Sequence, residues 1–286
     1  MICSIDATKR SSLWAFFARL ARLRWHASQA PYDGYDGYDG ATRHRTIEMT
    51  YATLHYIADP LCGWCYAAAP LVRAARDVAG LDVALHGGGM MAGPNAQPVT
   101  PQLRSYVMPH DHRIAELTGQ PFGDAYFDGL LRDGTAVFDS APPTAAALAA
   151  EALAGRGLDM FAAMQRAHYV DGKRIAERDV LVDIAADLGL DRAAFAKALD
   201  AVDANALMAH FRESRAWLAR VGGSGFPTFA LEIDGRLERL EPGRYLGQPD
   251  AWRDALRERL MAAQATSAAA GDAAALPQCG PDGCAI

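Results

Sequence analysis

Asp59-Pro60-Leu61-Cys62-Gly63-Trp64-Cys65-Tyr66 is the stretch that decides how this chain is read. A short β pattern, Tyr51 to Ala58, runs into it, and a helical pattern begins near Trp64. Pro60 and Gly63 set the two cysteines in a strand-to-helix turn. Cysteines separated by two residues on the first turn of a helix can close a small disulfide ring. The first sulfur then faces unpaired backbone N–H groups and the partial positive charge of the helix start, which favour thiolate over thiol. That is the chemistry of dithiol–disulfide exchange, in which Cys62 attacks a partner's sulfur and Cys65 resolves the mixed disulfide. The same spacing also supplies half of many zinc sites, but a structural zinc needs four ligands. The nearest other candidates, His55 and His86, form no second paired knuckle. Redox chemistry is the preferred reading. A noncatalytic zinc or partner-binding module stays as an alternative.

A second stretch, Gly225-Phe226-Pro227-Thr228-Phe229-Ala230-Leu231-Glu232-Ile233, opens a β run on a proline. Proline is tolerated there because it need not donate to the ladder. Taken with "DPLCGWCYAAAP" (59–70), "LHGGGMMAG" (85–93) and "PHDHRIAELTGQPFG" (109–123), this "GFPTFALEIDG" (225–235) resembles the DsbA family of thioredoxin-fold oxidoreductases. The likeness is to its bacterial branch of predicted protein-disulfide isomerases, over about residues 50 to 265. It implies an α/β, thioredoxin-like fold with a helical insertion domain. It also implies Cys62 as nucleophile, Cys65 as resolving cysteine and Pro227 as a cis proline facing them. Trp64, between the cysteines, is a candidate apolar contact for substrate or simply packs on the insertion, and a cis bond would set the Phe226 backbone beside the sulfurs to pair with an extended substrate.

The chain departs from better-known members of that family. The Gly63-Trp64 dipeptide holds no histidine, unlike the strongly oxidising relatives. Many thioredoxin-like proteins carry a buried carboxylate six residues before the first cysteine, where this chain has Tyr56. Asp59 is the nearest substitute as proton acceptor, with capping of the turn as its structural alternative. The direction of net redox chemistry is therefore open. A glutathione-dependent isomerase or transferase on the same fold is a further alternative, although a serine usually replaces the first cysteine there.

Composition narrows the partners. The 286 residues carry a formal charge of −6 and a pI near 5.7, which argues against nucleic acid. No apolar run reaches the roughly 18 residues that span a membrane. The chemistry needs no cofactor or metal. Expected partners are protein or small-molecule disulfides and a redox partner the sequence does not name.

Residues 1–48 read as a leader and disordered linker. Ser12 to Arg24 has an amphipathic helical pattern, and Arg19, Arg22 and Arg24 interrupt any export-signal core. Three Tyr-Asp-Gly repeats follow at 32–40. Cytoplasmic is the preferred location, with the periplasm as alternative. The domain is expected at 49–265 and a mobile tail at 266–286. Cys279 and Cys284 in that tail could pair and relay electrons, bind a metal, or do nothing; Cys3 reads as incidental.

Within the domain, the pattern predicts a strand at Thr53–Ala58, one helix over Trp64–Ala79 and a strand at Val83–His86. A helical stretch is predicted over about 101–221, with Ser140 capping a helix at Pro142-Pro143. A hairpin follows over Thr228–Ile233 and Arg236–Leu240 around Asp234-Gly235, then a closing helix over Gln248–Gln264. His110-Asp111-His112 reads as a solvated loop. His86-Gly87-Gly88-Gly89 imitates an oxyanion loop, but 222–226 lacks the final glycine of a nucleophile elbow.

Overall fold

Side chains alternate along β1 (Ala52–Ala58), with Leu54, Tyr56 and Ala58 on one face and His55 and Ile57 on the other, as the pleat requires. The computed structural model describes residues 52–274. The leader helix, the Tyr-Asp-Gly repeats, Cys3 and the tail cysteines Cys279 and Cys284 lie outside the described residues. β1 pairs in parallel with β2 (Leu81–Gly87) and antiparallel with β5 (Thr228–Ile233), which pairs antiparallel with β6 (Arg236–Leu240). The sheet order is β2-β1-β5-β6. Asp234 and Gly235 both take positive φ, 48° and 77°, so the hairpin turn is the primed type its sequence demands.

The β1–β2 crossover is not one helix. It is split into α1 (Gly63–Ala67) and α2 (Ala69–Arg76). Pro70 is the cause: it has no N–H to return to the carbonyl of Tyr66. Gln120 takes that freed carbonyl instead, donating from Nε2 at 2.8 Å. Gly80, at φ 79°, then turns the chain into β2.

Between β2 and β5 lies the insertion. It comprises β3 (Gln97–Pro98), α3 (Pro101–Thr118), β4 (Val137–Phe138), α4 (Ala141–Ala154), α5 (Gly157–Tyr169), α6 (Arg178–Asp187), α7 (Arg192–Asp200) and α8 (Ala204–Arg220). The stretch is therefore not wholly helical: β4 pairs with β3, and a π-helical turn spans Ala125–Gly129. Ala145, Ala146, Ala147, Ala149 and Ala150 of α4 are buried, and such small side chains let α5 and α7 approach closely. Ser140 does not cap α4, since its side chain makes no bond there and is used elsewhere. His110 to His112 lie on α3 rather than in a loop. The closing helix, α9 (Pro249–Ala274), runs past the expected Gln264 into the stretch read as tail.

Two cores result. One lies between the sheet, α1–α2 and α9, and holds Leu54, Tyr56, Cys65, Leu71, Phe229 and Trp252. The other fills the insertion, around Met160, Met164, Tyr169, Leu181 and Phe195, and takes in Leu61 and Tyr66 from the dithiol turn. Among the described residues, no helix is long and apolar enough to cross a membrane.

Candidate active site

The strand-to-helix turn sets Cys62 at the N-cap of α1, with extended backbone (φ −93°, ψ 112°). Its Sγ accepts the N–H of Cys65 at 3.3 Å and lies 3.5 Å from the carbonyl oxygen of Phe226. Both cysteines are free thiols. A helix N-terminus would be expected to expose Cys62, but it is buried at 6%, beside the Phe226 carbonyl; Cys65 is at 0%. Burial pushes the Cys65 thiol well above its usual range, and the neighbouring Cys62 sulfur pushes it the same way. The backbone N–H of Asp59 donates to the Cys65 sulfur at 3.5 Å. The Tyr56 hydroxyl donates to the Cys65 carbonyl at 3.1 Å, and burial with both cysteine sulfurs nearby raises its own pKa.

Pro227 stands opposite, and the Phe226–Pro227 peptide bond is cis, as the family likeness implies. Trp64, Phe226 and Pro227 are all half-buried around Cys62. Gly88 is required by Phe226: a Cβ on Gly88 would lie 2.1 Å from the ring's Cζ. Its N–H donates to the Ala58 carbonyl at 2.8 Å, which fixes the loop to the end of β1.

Asp59 is fully buried and ties three segments together. Oδ1 accepts from Leu61 N–H at 3.0 Å and from Ser140 Oγ at 2.8 Å, and Oδ2 accepts from Met90 N–H at 2.6 Å. Burial raises its pKa, and these three donors oppose the rise. The capping role foreseen for Ser140 fails for this reason. Its hydroxyl donates to Asp59 and accepts from Met91 N–H at 3.0 Å, while Asp139 Oδ1 serves Ala141 N–H at 2.8 Å.

His55 and His86, the candidate extra zinc ligands, bond to each other at 3.0 Å, not to the sulfurs. His55 also pairs with Glu232 at 2.9 Å and stacks on Trp217 of α8, their centroids 3.9 Å apart. Burial, with His55 and His210 nearby, lowers His86 to about 4. This cluster lies under α8, on the sheet face away from Tyr56.

One residue at the site was missed from sequence. Asp111 of α3 is buried against Gly63, with Oδ2 accepting from the Tyr126 hydroxyl at 2.8 Å. Its sole sequence signal is an acid two residues after a mid-helix proline, which does not distinguish a buried carboxyl from a solvated one. The insertion also grips α1 through Tyr66, whose hydroxyl donates to the Pro121 carbonyl at 2.8 Å.

A dithiol at the head of a helix on a four-stranded sheet, faced by a cis proline and roofed by a helical insertion, defines a thioredoxin-like thiol–disulfide oxidoreductase. The family model for the DSBA-like thioredoxin domain matches residues 53–244, and the chain belongs to that family. Among solved structures it is similar to the cytosolic disulfide reductase DsbM from Pseudomonas aeruginosa, at 64% identity and a TM-score of 0.70, over 73% of this chain and 98% of that one. The structure of that reductase with GSH matches at 61% identity and TM-score 0.68, over 73% and 99% of the two chains. A structure from Nitrosomonas europaea matches at 28% identity and TM-score 0.58, over 71% and 97%. No curated protein sequence matched. The enzyme is a thiol–disulfide oxidoreductase of the DsbA family, with Cys62 and Cys65 at the spacing of its dithiol.

Proposed function

We propose that this enzyme runs as a disulfide reductase in the cytoplasm, with Cys62 as attacking sulfur and Cys65 as resolving sulfur. The observation that carries the assignment is the asymmetry of the pair. Cys62 keeps 6% exposure beside the Phe226 carbonyl and accepts a backbone N–H, whereas Cys65 is sealed in the core with its thiol held protonated. The Cys62 thiolate attacks R–S–S–R′, forming Cys62–S–S–R and releasing R′S⁻, which takes up a proton. Cys65 then gives up its proton and attacks the Cys62 sulfur, releasing RS⁻ and leaving the Cys62–Cys65 disulfide. Two electrons have passed from the dithiol to the substrate. Two molecules of glutathione return them, being oxidised to one glutathione disulfide.

Trp64 and Phe226 form the apolar rim on which a disulfide substrate settles, and Pro227 holds the Phe226 carbonyl at the sulfur. Asp59 was foreseen as a proton acceptor, but its carboxylate is already bound by three donors. In this reading it positions the turn. The reductase direction and the glutathione partner are supported by likeness to DsbM and its structure with GSH. The absence of histidine between the cysteines agrees with that direction.

The test is trapping. Cys65→Ser should accumulate a mixed disulfide on Cys62 with glutathione disulfide or a disulfide peptide, and Cys62→Ser should trap nothing. Peptide mass mapping reads the site. Adducts formed first on Cys65 in the wild-type protein would reverse the assignment.

A further inference from the structure

The insertion places a carboxyl against the dithiol turn. Asp111 is 3% exposed. The Tyr126 hydroxyl donates to its Oδ2, while Oδ1 accepts no hydrogen bond from the described residues. Oδ1 instead presses on Gly63, so closely that a Cβ there would stand 2.6 Å from it and 3.1 Å from Ile114 Cδ1. Gly63 is bonded directly to Cys62. The glycine in the Cys-Gly-Trp-Cys sequence is thus the space that lets an insertion carboxyl pack against the backbone next to the reactive cysteine. Packing alone does not call for an ionisable group here, since an apolar pair of similar volume would fill the same space at no electrostatic cost.

We propose that Asp111 sets the reducing power of the dithiol: ionised, it puts a second negative charge beside Cys62 and disfavours the reduced, thiolate-bearing form; neutral, it leaves the thiolate unopposed. Asp111 acts through Cys62 and is a positioning residue. The inference rests on Cys62 being the attacking sulfur. No bond is made or broken by Asp111, which only takes a proton from solvent or returns it.

The groups that face this carboxyl leave it free to change charge in the neutral range. Burial pushes Asp111 up to about 7, against the pull of the Tyr126 hydrogen bond. Tyr126 and Tyr169 are held protonated, both raised well above 10 by burial. Tyr66 is pushed up to about 12 by burial, with Arg166 and Asp171 near it. His168, beyond Tyr126, is lowered to about 3 and stays neutral. Cys62 and Cys65 lie across Gly63. His110 and His112 on α3 itself are exposed, His112 stacking on Phe127. Among the buried groups around Gly63, the tyrosines and the Cys65 thiol are held protonated and His168 is held neutral, so Asp111 is the carboxyl there that can change charge near pH 7.

The experiment measures alkylation of Cys62 by iodoacetamide from pH 5 to 9 in the full-length protein, with peptide mapping, and the redox equilibrium against glutathione. Asp111→Asn should alkylate Cys62 about tenfold faster near pH 8 and converge with wild type below pH 6, where Asp111 is already neutral. Its equilibrium should shift about tenfold toward the reduced form, about 30 mV for a two-electron couple. Tyr126→Phe removes the donor from Oδ2 without touching a sulfur, and should move the wild-type inflection to higher pH. Superimposable profiles and equal equilibria in both variants would overturn the inference. Should Asp111→Asn fail to fold, the inflection in Tyr126→Phe decides alone, an unmoved one refuting it. Alkylation falling first on Cys65 would instead overturn the Cys62 assignment itself, a different result from Cys62 reacting with an unchanged profile.

Discussion

Replacing Asp59 by Asn tests whether the buried carboxylate is the anchor of the site. The side chain accepts from Leu61 N–H and Ser140 Oγ on one oxygen and from Met90 N–H on the other, at 3.0, 2.8 and 2.6 Å. An amide of the same shape has only one oxygen. Whichever way it is turned, its NH₂ meets either the Leu61 or the Met90 N–H, donor to donor. A hydrogen bond to a charged group is worth about 1.5–3 kcal/mol, and a buried donor left unpaired costs about 1–3 kcal/mol. Relief of the buried charge returns part of this, since burial already disfavours the carboxylate. The expected loss is about 3 kcal/mol of unfolding free energy. For a domain of this size that is about 6–12 °C in Tm. Asp59→Ala leaves all three donors unpaired and should cost more, about 5 kcal/mol. Urea unfolding followed by tryptophan fluorescence reads both. An Asp59→Asn protein within about 0.5 kcal/mol of wild type would refute the anchoring role, because it would mean that water or a shifted loop satisfies the orphaned donors.

Gly88→Ala should act on chemistry more than on stability: its Cβ would lie 2.1 Å from Phe226 Cζ, and the half-buried ring must swing aside. Overpacking of this kind costs about 1–3 kcal/mol. Turnover of a small disulfide should fall about tenfold as the Phe226 carbonyl leaves Cys62, and wild-type turnover would count against the proposed substrate rim. His168 gives a pH test. Unfolded, it takes up a proton below about 6.5, but burial holds it neutral in the fold down to about 3. The stability this group contributes is therefore complete above pH 6.5 and is lost as pH falls toward 3, by about 2 kcal/mol between pH 7 and 5. His168→Phe should flatten the acid limb by that amount in urea midpoints measured at the two pH values; an unchanged slope would show that His168 does not govern it.

What could be read from sequence follows from range. The hairpin was legible residue for residue because Asp234-Gly235 fixes its turn chemistry locally, and the β1–α–β2 unit followed from the period-two run ahead of the cysteines. The break at Ala68 was within reach, since Pro70 removes one helix donor; the reading over Trp64–Ala79 gave it too little weight. Other features depend on contacts between distant segments. Ser140 has the residue type of a cap and its hydroxyl was assigned accordingly, yet Asp59, far earlier in the chain, claims it. His110-Asp111-His112 looks solvated because two of the three are; which one turns inward depends on where α3 lands on Gly63. The β3–β4 pair, two residues on each strand, is too short to leave a periodic signal.

The double membership of the dithiol turn has a consequence for how this enzyme could be altered. Cys65 and Leu71 face the sheet core, while Leu61 and Tyr66 face the insertion core, so α1 is a party wall between two hydrophobic interiors. The insertion holds that wall through Tyr66, with Pro121 and Gln120 as its fixings. Excising the insertion to obtain a minimal thioredoxin would expose one side of the wall and strip the carbonyl that Pro70 leaves bare. Grafting the Cys62–Cys65 turn onto another scaffold would likewise transfer half of its surroundings. Redesign of specificity therefore has to start at the outer rim, where Trp64 and Phe226 meet solvent and rest on the sheet core alone.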